Sequence, residues 1–273
     1  MASRPLTVER EPGLAVITID SPPLNLVDGP FLGALLQVLP ELEADEDLRV
    51  ALFRSADPDF FLMHGDVEAI LASRPTPAAA AAPNVAAATF ARLSREPFVT
   101  IGVLDGAARG GGCEFLSALD LRFGTARAVI GQPEVLLGIL PGAGGTVRWA
   151  RLAGRAKALE LLLTGRDVEA DEALALGWLV AIHDPADVDA AALDLARSIA
   201  RMPPASIAAV KRVVDVALGD TTNALVAESN ALTALMAAGN HVEPMRHFLA
   251  AGGQTRDGER DDFAGVMDRT LGG

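Results

Sequence analysis

FVTIGVLDGAARGGGCEFLS, residues 98–117, decides how the chain folds. It opens as an apolar run rich in β-branched residues, passes through Asp105-Gly106 and three consecutive glycines, and continues from Cys113 and Glu114 as a helical pattern. A short, nearly continuous apolar run bounded by turn residues is the pattern of a strand buried in a largely parallel sheet. The stretch therefore predicts a strand that hands over to a helix through a glycine-rich passage.

The same pattern repeats on the N-terminal side. LAVITI at residues 14–19 and VALF at residues 50–53 are further strands, and residues 31–42 and 84–93 carry helical patterns between them. Strands alternating with helices define an α/β core. From Arg155 onward the character changes to helical segments at residues 156–163, 186–200, 206–218 and 222–238. In the third of these Ile207, Val210, Val214 and Leu218 recur at helical spacing. The expected organisation is an α/β core over residues 1–200 and a helical C-terminal region over residues 201–273. Residues 73–83, SRPTPAAAAAP, have three prolines interrupting alanines, which rules against a continuous helix and predicts a loop. Residues 254–273 are polar, with one amphipathic stretch around Phe263 and Met267, and receive no chemistry from the pattern.

Composition narrows the function. The 273 residues are half hydrophobic and include 36 acidic against 23 basic side chains, a formal charge of −13. Chains of this size bury a large core, and a scattered acidic surface lacks the basic footprint that nucleic acid requires. Lys157 and Lys211 are the only lysines, so arginine is left to meet any anionic ligand. Cys113 is the single cysteine, so the chain needs no oxidising compartment. The first eleven residues lack an apolar signal core and no stretch is long enough to span a bilayer, so a cytoplasmic location and no membrane partner are expected.

The residues able to carry chemistry cluster around the glycines. Peptide N–H groups at a helix start have no intrahelical partner and point outward at the positive end of the dipole, which suits a developing oxyanion. A glycine triplet also serves a tight turn or close helix packing, and both readings stand. Glu114 adds a carboxylate one turn inside an apolar helix. In VIGQPEVLLGILPGAGG, residues 129–145, Glu134 follows Pro133 among apolar residues that raise a carboxyl pKa toward the working pH. Two such carboxylates can divide proton transfers between them. His183, His241 and His247 show no metal-ligand spacing, and Cys113, beside an acidic residue, reads as a small packed side chain.

These motifs resemble the crotonase, or enoyl-CoA hydratase/isomerase, superfamily. PLN at residues 23–25, FFLMHGD at 60–66, RGGGCEF at 109–115, GQPEVLLGILPGAGGT at 131–146 and LTGRDVEADEALALGWLV at 163–180 follow the family in order, over roughly residues 14–249. Glu114 and Glu134 match the two catalytic glutamates of the hydratases, with their separation of 20 residues preserved. The resemblance implies a spiral of ββα units and a C-terminal helical region that builds homotrimers, commonly paired into hexamers. It implies hydration of an enoyl-CoA, with isomerisation or decarboxylation of an acyl-CoA, or acyl-CoA binding without catalysis, as alternatives. The N–H groups of Gly65 and Gly111 would form the oxyanion hole. Glu114 would activate the water that attacks C3, and Glu134 would exchange the proton at C2. Backbone around Leu24, Met63, Asp66 and Val67 would hold the coenzyme A carried by the substrate, and no separate cofactor or metal is implied.

Two positions depart from the family pattern. Met63-His64 stands where small residues are usual, and Arg109 where an apolar residue is usual. His64 touches the ligand or only fills its loop, and Arg109 meets an anion or is solvated. The loop at residues 73–83 is expected to lie over the acyl end of the pocket.

Overall fold

The computed structural model describes residues 5–73 and 82–272, so most of the loop expected over the acyl end, residues 74–81, lies outside the described residues. A six-stranded sheet runs in the order β1 (Leu6–Glu11), β2 (Leu14–Ile19), β3 (Val50–Ser55), β4 (Val99–Leu104), β6 (Leu121–Gly124) and β9 (Ala181–Ile182). β1 and β2 form an antiparallel hairpin, and every later pairing in this sheet is parallel. A second sheet is small: β5 (Ala107–Arg109), β7 (Val129–Gly131) and β8 (Asp167–Glu169), with β5 parallel and β8 antiparallel to the central β7.

The apolar strand runs are continuous because both faces of the large sheet are covered. Ala15, Ile17, Ile19, Ala51, Phe53 and Leu104 face one core, which α1 (Gly29–Glu43), α3 (Val85–Ser94), α4 (Gly111–Ala118) and α5 (Gly145–Thr164) share. Leu14, Val16, Val50, Leu52, Ile101 and Val103 face the other, closed by α7 (Val188–Ala200) through Val188, Ala192 and Ala196. Phe115 stands at the centre of the first core, with its ring 5.3 Å from those of Phe53 and Phe90 and 5.8 Å from Phe31. That aromatic cluster sets the rotation of α4, the helix that carries Glu114.

Beyond α2 (Val67–Ala72) and α6 (Ala170–Ala175), the C-terminal helices divide into two groups. α10 (Val242–Ala250), α11 (Arg256–Asp261) and α12 (Phe263–Thr270) return to the core, where Met245, Phe248, Phe263, Val266 and Met267 pack with Val67, Leu137 and Ile139. α9 (Thr222–Ala237) buries Leu225, Glu228 and Ser229, whereas α8 (Pro204–Leu218) barely touches the core. On α8 the helical repeat seen in the sequence buries only Ile207, while Val210, Val213, Val214, Val216 and Leu218 are exposed. Among the described residues no helix is long and apolar enough to cross a membrane.

Candidate active site

β5 and β7 lie side by side and parallel, and each delivers one glutamate just past its C-terminal end. After β5 the chain turns at Gly110, whose φ of +52° is a conformation that side chains disfavour, and enters α4. A Cβ on Gly112 would stand 1.6 Å from the carbonyl oxygen of Leu62, so the third glycine is demanded by packing. Close packing holds for the whole triplet, since a Cβ on Gly110 would meet His64 at 2.9 Å and one on Gly111 would meet Val27 at 3.0 Å. After β7, Gln132 leads into a 3₁₀ turn, Pro133–Leu137, that holds Glu134.

Both glutamates are buried, at 4 % and 9 % exposure. Glu114 Oε1 accepts the N–H groups of Ala143 at 2.6 Å and Gly145 at 2.8 Å, so it caps the start of α5. With its amide turned so that the nitrogen faces Glu134, Gln132 donates to both Glu134 oxygens at 3.0 Å. A third carboxylate joins them from α9: Glu228, 5 % exposed, accepts the N–H of Gly144 at 2.6 Å and of Val147 at 3.3 Å. Arg148, half-buried, donates to the carbonyl of Ala143 at 2.9 Å and is the cation that acts on Glu114 and Glu228.

Arg148 offsets only Glu114 and Glu228 of the three carboxylates, so the cluster is short of positive charge and all three pKa values are raised. Burial, reinforced by the charge of Glu228, pushes the Glu114 carboxyl up to about 8 against the pull of its two N–H donors. Burial and then the charge of Glu114 raise Glu134 well above its ordinary value. Glu228 is raised by burial as well, with N–H groups and Arg148 opposing. The Cys113 thiol, fully buried beside them, is pushed up to about 12 by burial and the Glu134 charge, which removes it as a nucleophile.

The Gly65 segment reaches this place along β5. Phe61 N–H donates to Ala107 O at 3.0 Å, Val27 N–H donates to His64 O at 3.1 Å, and His64 packs against the position a Cβ on Gly110 would occupy. The amides of Gly65 and Gly111 donate to no acceptor among the described residues. Each stands opposite an occupied carbonyl, His64 O and Gly110 O, the latter taking Glu114 N–H at 2.9 Å. In a trans peptide this turns the N–H the other way. The Leu24 and Met63 side chains are buried with Phe60 and Ala107, which leaves only backbone at these positions for a ligand. The N–H of Met63 is itself taken by Asn25 O at 2.7 Å.

Two unexpected side chains complete the surroundings. His64 neither faces open space nor merely fills its loop: Nε2 lies 2.9 Å from Glu259 Oε1 and Nδ1 lies 2.9 Å from Gly65 O. Arg109 is not solvated: at 5 % exposure it forks onto Asp167 at 2.9 and 2.7 Å. It also donates to Glu259 O at 3.0 Å and stacks 3.9 Å above the Phe263 ring. Arg109, Gly131 and Asp167 stand in register across β5, β7 and β8, and the side chain missing at Gly131 gives the ion pair its room.

The profile of the enoyl-CoA hydratase/isomerase family matches residues 9–251. The chain belongs to the enoyl-CoA hydratase/isomerase family. Its relatives include the short-chain-enoyl-CoA hydratase of Clostridium acetobutylicum, 30% identical over 244 residues, which are 89% of this chain and 93% of that protein. A crystal structure of a candidate enoyl-CoA hydratase from Streptomyces avermitilis superposes with a TM-score of 0.88 at 35% identity, covering 100% of both chains. Pseudomonas aeruginosa DspI follows with a TM-score of 0.71 at 30% identity, over 83% of this chain and 92% of that one. The crotonase fold expected from the motifs is therefore the fold of this family member.

Proposed function

We propose that this protein hydrates a 2-enoyl-CoA thioester, with Glu114 and Glu134 dividing the proton transfers. The observation that carries this reading is the pair of buried carboxylates brought to the ends of β5 and β7, both raised in pKa by burial, with Glu134 raised further by the charge of Glu114. Such a pair shares protons, so one member is available as a base while the other holds a proton to give. The amides of Gly65 and Gly111 polarise the thioester carbonyl. Glu114 takes a proton from water as the water oxygen bonds to C3. The C2–C3 π electrons move into the enolate, and the proton of Glu134 goes to C2 as the carbonyl re-forms. Hydration leaves no net proton in the site, because Glu114 has gained the one that Glu134 lost.

Asp66 and Val67, at the start of α2 beside Gly65, together with the backbone at Leu24 and Met63, are the proposed contacts for the coenzyme A moiety. We also propose self-association, most simply as a trimer, through the exposed valines of α8, an apolar face that a second copy of the same helix region would cover.

The test is the loss of conjugated thioester absorbance on a panel of 2-enoyl-CoA substrates of increasing chain length. Hydration of at least one, yielding the 3-hydroxyacyl-CoA, is expected. Double-bond migration or decarboxylation of acyl-CoA substrates without hydration would replace this reading.

A further inference from the structure

His64 and Arg109, the two departures from the family pattern, meet at one residue. Glu259, on α11 and fully buried, accepts from or pairs with His64 through its Oε1, and its backbone oxygen takes the Arg109 guanidinium. His64 directly precedes Gly65, and Arg109 stands two residues before Gly111. Both peptides proposed as oxyanion donors are thus adjacent to a side chain held by the same C-terminal residue.

We infer that Glu259 is a positioning residue that locks the two arms of the oxyanion hole against each other, one through His64 and the other through Arg109. The inference rests on the proposed role of the Gly65 and Gly111 amides.

The geometry shows how the lock works. The His64 ring spans from Glu259 Oε1 to its neighbour's carbonyl, Gly65 O, so the peptide that follows Gly65 is fixed from the ring side. The peptide that precedes Gly65 is fixed by Val27 N–H on His64 O. On the other arm, Arg109 is held at its tip by Asp167, Glu259 O and the Phe263 ring. That leaves the Gly110 turn little freedom, and His64 packs directly on it. The Glu259 carboxylate also accepts Gln254 N–H at 3.0 Å, and Gln254 reaches on to Val67 N–H at 2.7 Å and Asp66 at 3.0 Å, at the start of α2.

Mere attachment of the C-terminal segment is supplied elsewhere. Arg256 ties the start of α11 to Asp57, to Asp59 and to the carbonyl of Pro23, and Phe248 and Phe263 bury apolar surface. A buried ion pair is a costly way to add one more fastening, because both charges must leave water. Its worth lies in direction, and the direction is toward the two donor peptides.

A chromophoric thioester reads the hole directly. 4-Dimethylaminocinnamoyl-CoA absorbs at longer wavelength as its carbonyl is polarised, so the shift per bound probe measures the donors independently of proton transfer. With the unaltered protein a red shift is expected. Glu259→Ala and His64→Ala should each lose most of that shift and lower kcat by about tenfold to a hundredfold with KM changed less than threefold. Glu259→Gln, which still accepts from His64 and Gln254, should recover most of the shift, and His64→Ala with Glu259→Ala together should be no worse than either alone. If Glu259→Ala does not fold, His64→Ala and Glu259→Gln carry the same comparison. A full shift per bound probe in His64→Ala and in whichever Glu259 variants fold overturns the inference while leaving the oxyanion reading intact. No shift with the unaltered protein overturns the oxyanion reading and this inference with it.

Discussion

Glu134 and Glu259 are both buried carboxylates, one lying against Gly110 and the other bonded to His64, and their pKa values move in opposite directions. Burial raises each of them. Around Glu134 the next influence is another carboxylate, Glu114, which raises it further. Around Glu259 the next influences are His64, then the N–H of Gln254 and then Arg109, which together more than reverse the effect of burial and leave Glu259 lowered. His64 is the mirror image: burial lowers it, and the Glu259 charge brings it back above its ordinary value. The same residue type, buried in both places, is thus held toward its protonated form in one cluster and kept an anion in the other. The difference is the number of cations within reach. That contrast fits the proposed roles, with charge left uncompensated where protons are to move and compensated where peptides are to be held.

The largest effect expected from this contrast is on turnover. Glu114→Gln and Glu134→Gln should each lower kcat by about 10²–10⁴-fold while KM for the CoA thioester stays within about threefold, because proton transfer is lost and the carbonyl contacts remain. Glu259→Gln should cost far less. Steady-state kinetics on the preferred enoyl-CoA decide this, and a Glu259→Gln loss as large as that of Glu134→Gln would erase the distinction between the clusters.

Stability should separate the same residues by sign. Glu114 has a folded pKa of about 8 against 4.5 in the unfolded chain, so its contribution is fully present below 4.5 and disappears as pH rises toward 8. At pH 8 the glutamine variant avoids that loss and should be more stable than the parent by about 1–3 kcal/mol, a few degrees in Tm. Glu259 has a lowered folded pKa, so its contribution is present above the unfolded value and is lost as pH falls through the folded one. Glu259→Gln should therefore be less stable at pH 7–8, by about 1–3 kcal/mol, and the gap should close in acid. Thermal unfolding at pH 4, 6 and 8 checks both signs, and two shifts in the same direction would contradict the assignment.

A smaller effect belongs to Glu228, whose charge holds Glu114 up without occupying the proposed proton-transfer path. Glu228→Gln keeps an acceptor for the shorter of its two bonds, from Gly144, gives up the 3.3 Å one from Val147, and removes the charge. The profile of kcat/KM against pH should move toward acid by about half a unit to one unit, as a property of the coupled carboxylates. An unmoved profile would take Glu228 out of the electrostatics of the site.

How much of this was legible in the sequence follows from what each residue's neighbours in the chain reveal. The strand-to-helix passage at residues 98–117 and the alternation before it were readable because apolar periodicity reports burial, and the large sheet and its two cores follow that reading. The three-residue strands β5, β7 and β8 were not, since runs so short have no periodicity, yet they are what brings Glu114 and Glu134 together. Glu228 left a trace: it is the only charged residue in the sixteen of α9, a lone carboxylate in an apolar helix. Glu259 left none, because RDGERD reads as a solvated charge run and only the return of α10 to α12 onto α2 buries it. His64 and Arg109 were visible as departures, but their common partner lies 195 and 150 residues away.

Isotope exchange at C2 tests the central claim most directly, because it follows one proton transfer without the other. With a saturated acyl-CoA in D₂O, exchange of the C2 hydrogens needs Glu134 and the oxyanion donors but no attack at C3. Glu114→Gln is expected to retain C2 exchange while hydration falls by at least about a hundredfold, and Glu134→Gln to lose both. Exchange that survives in Glu134→Gln and vanishes in Glu114→Gln would contradict the division of labour between the two carboxylates.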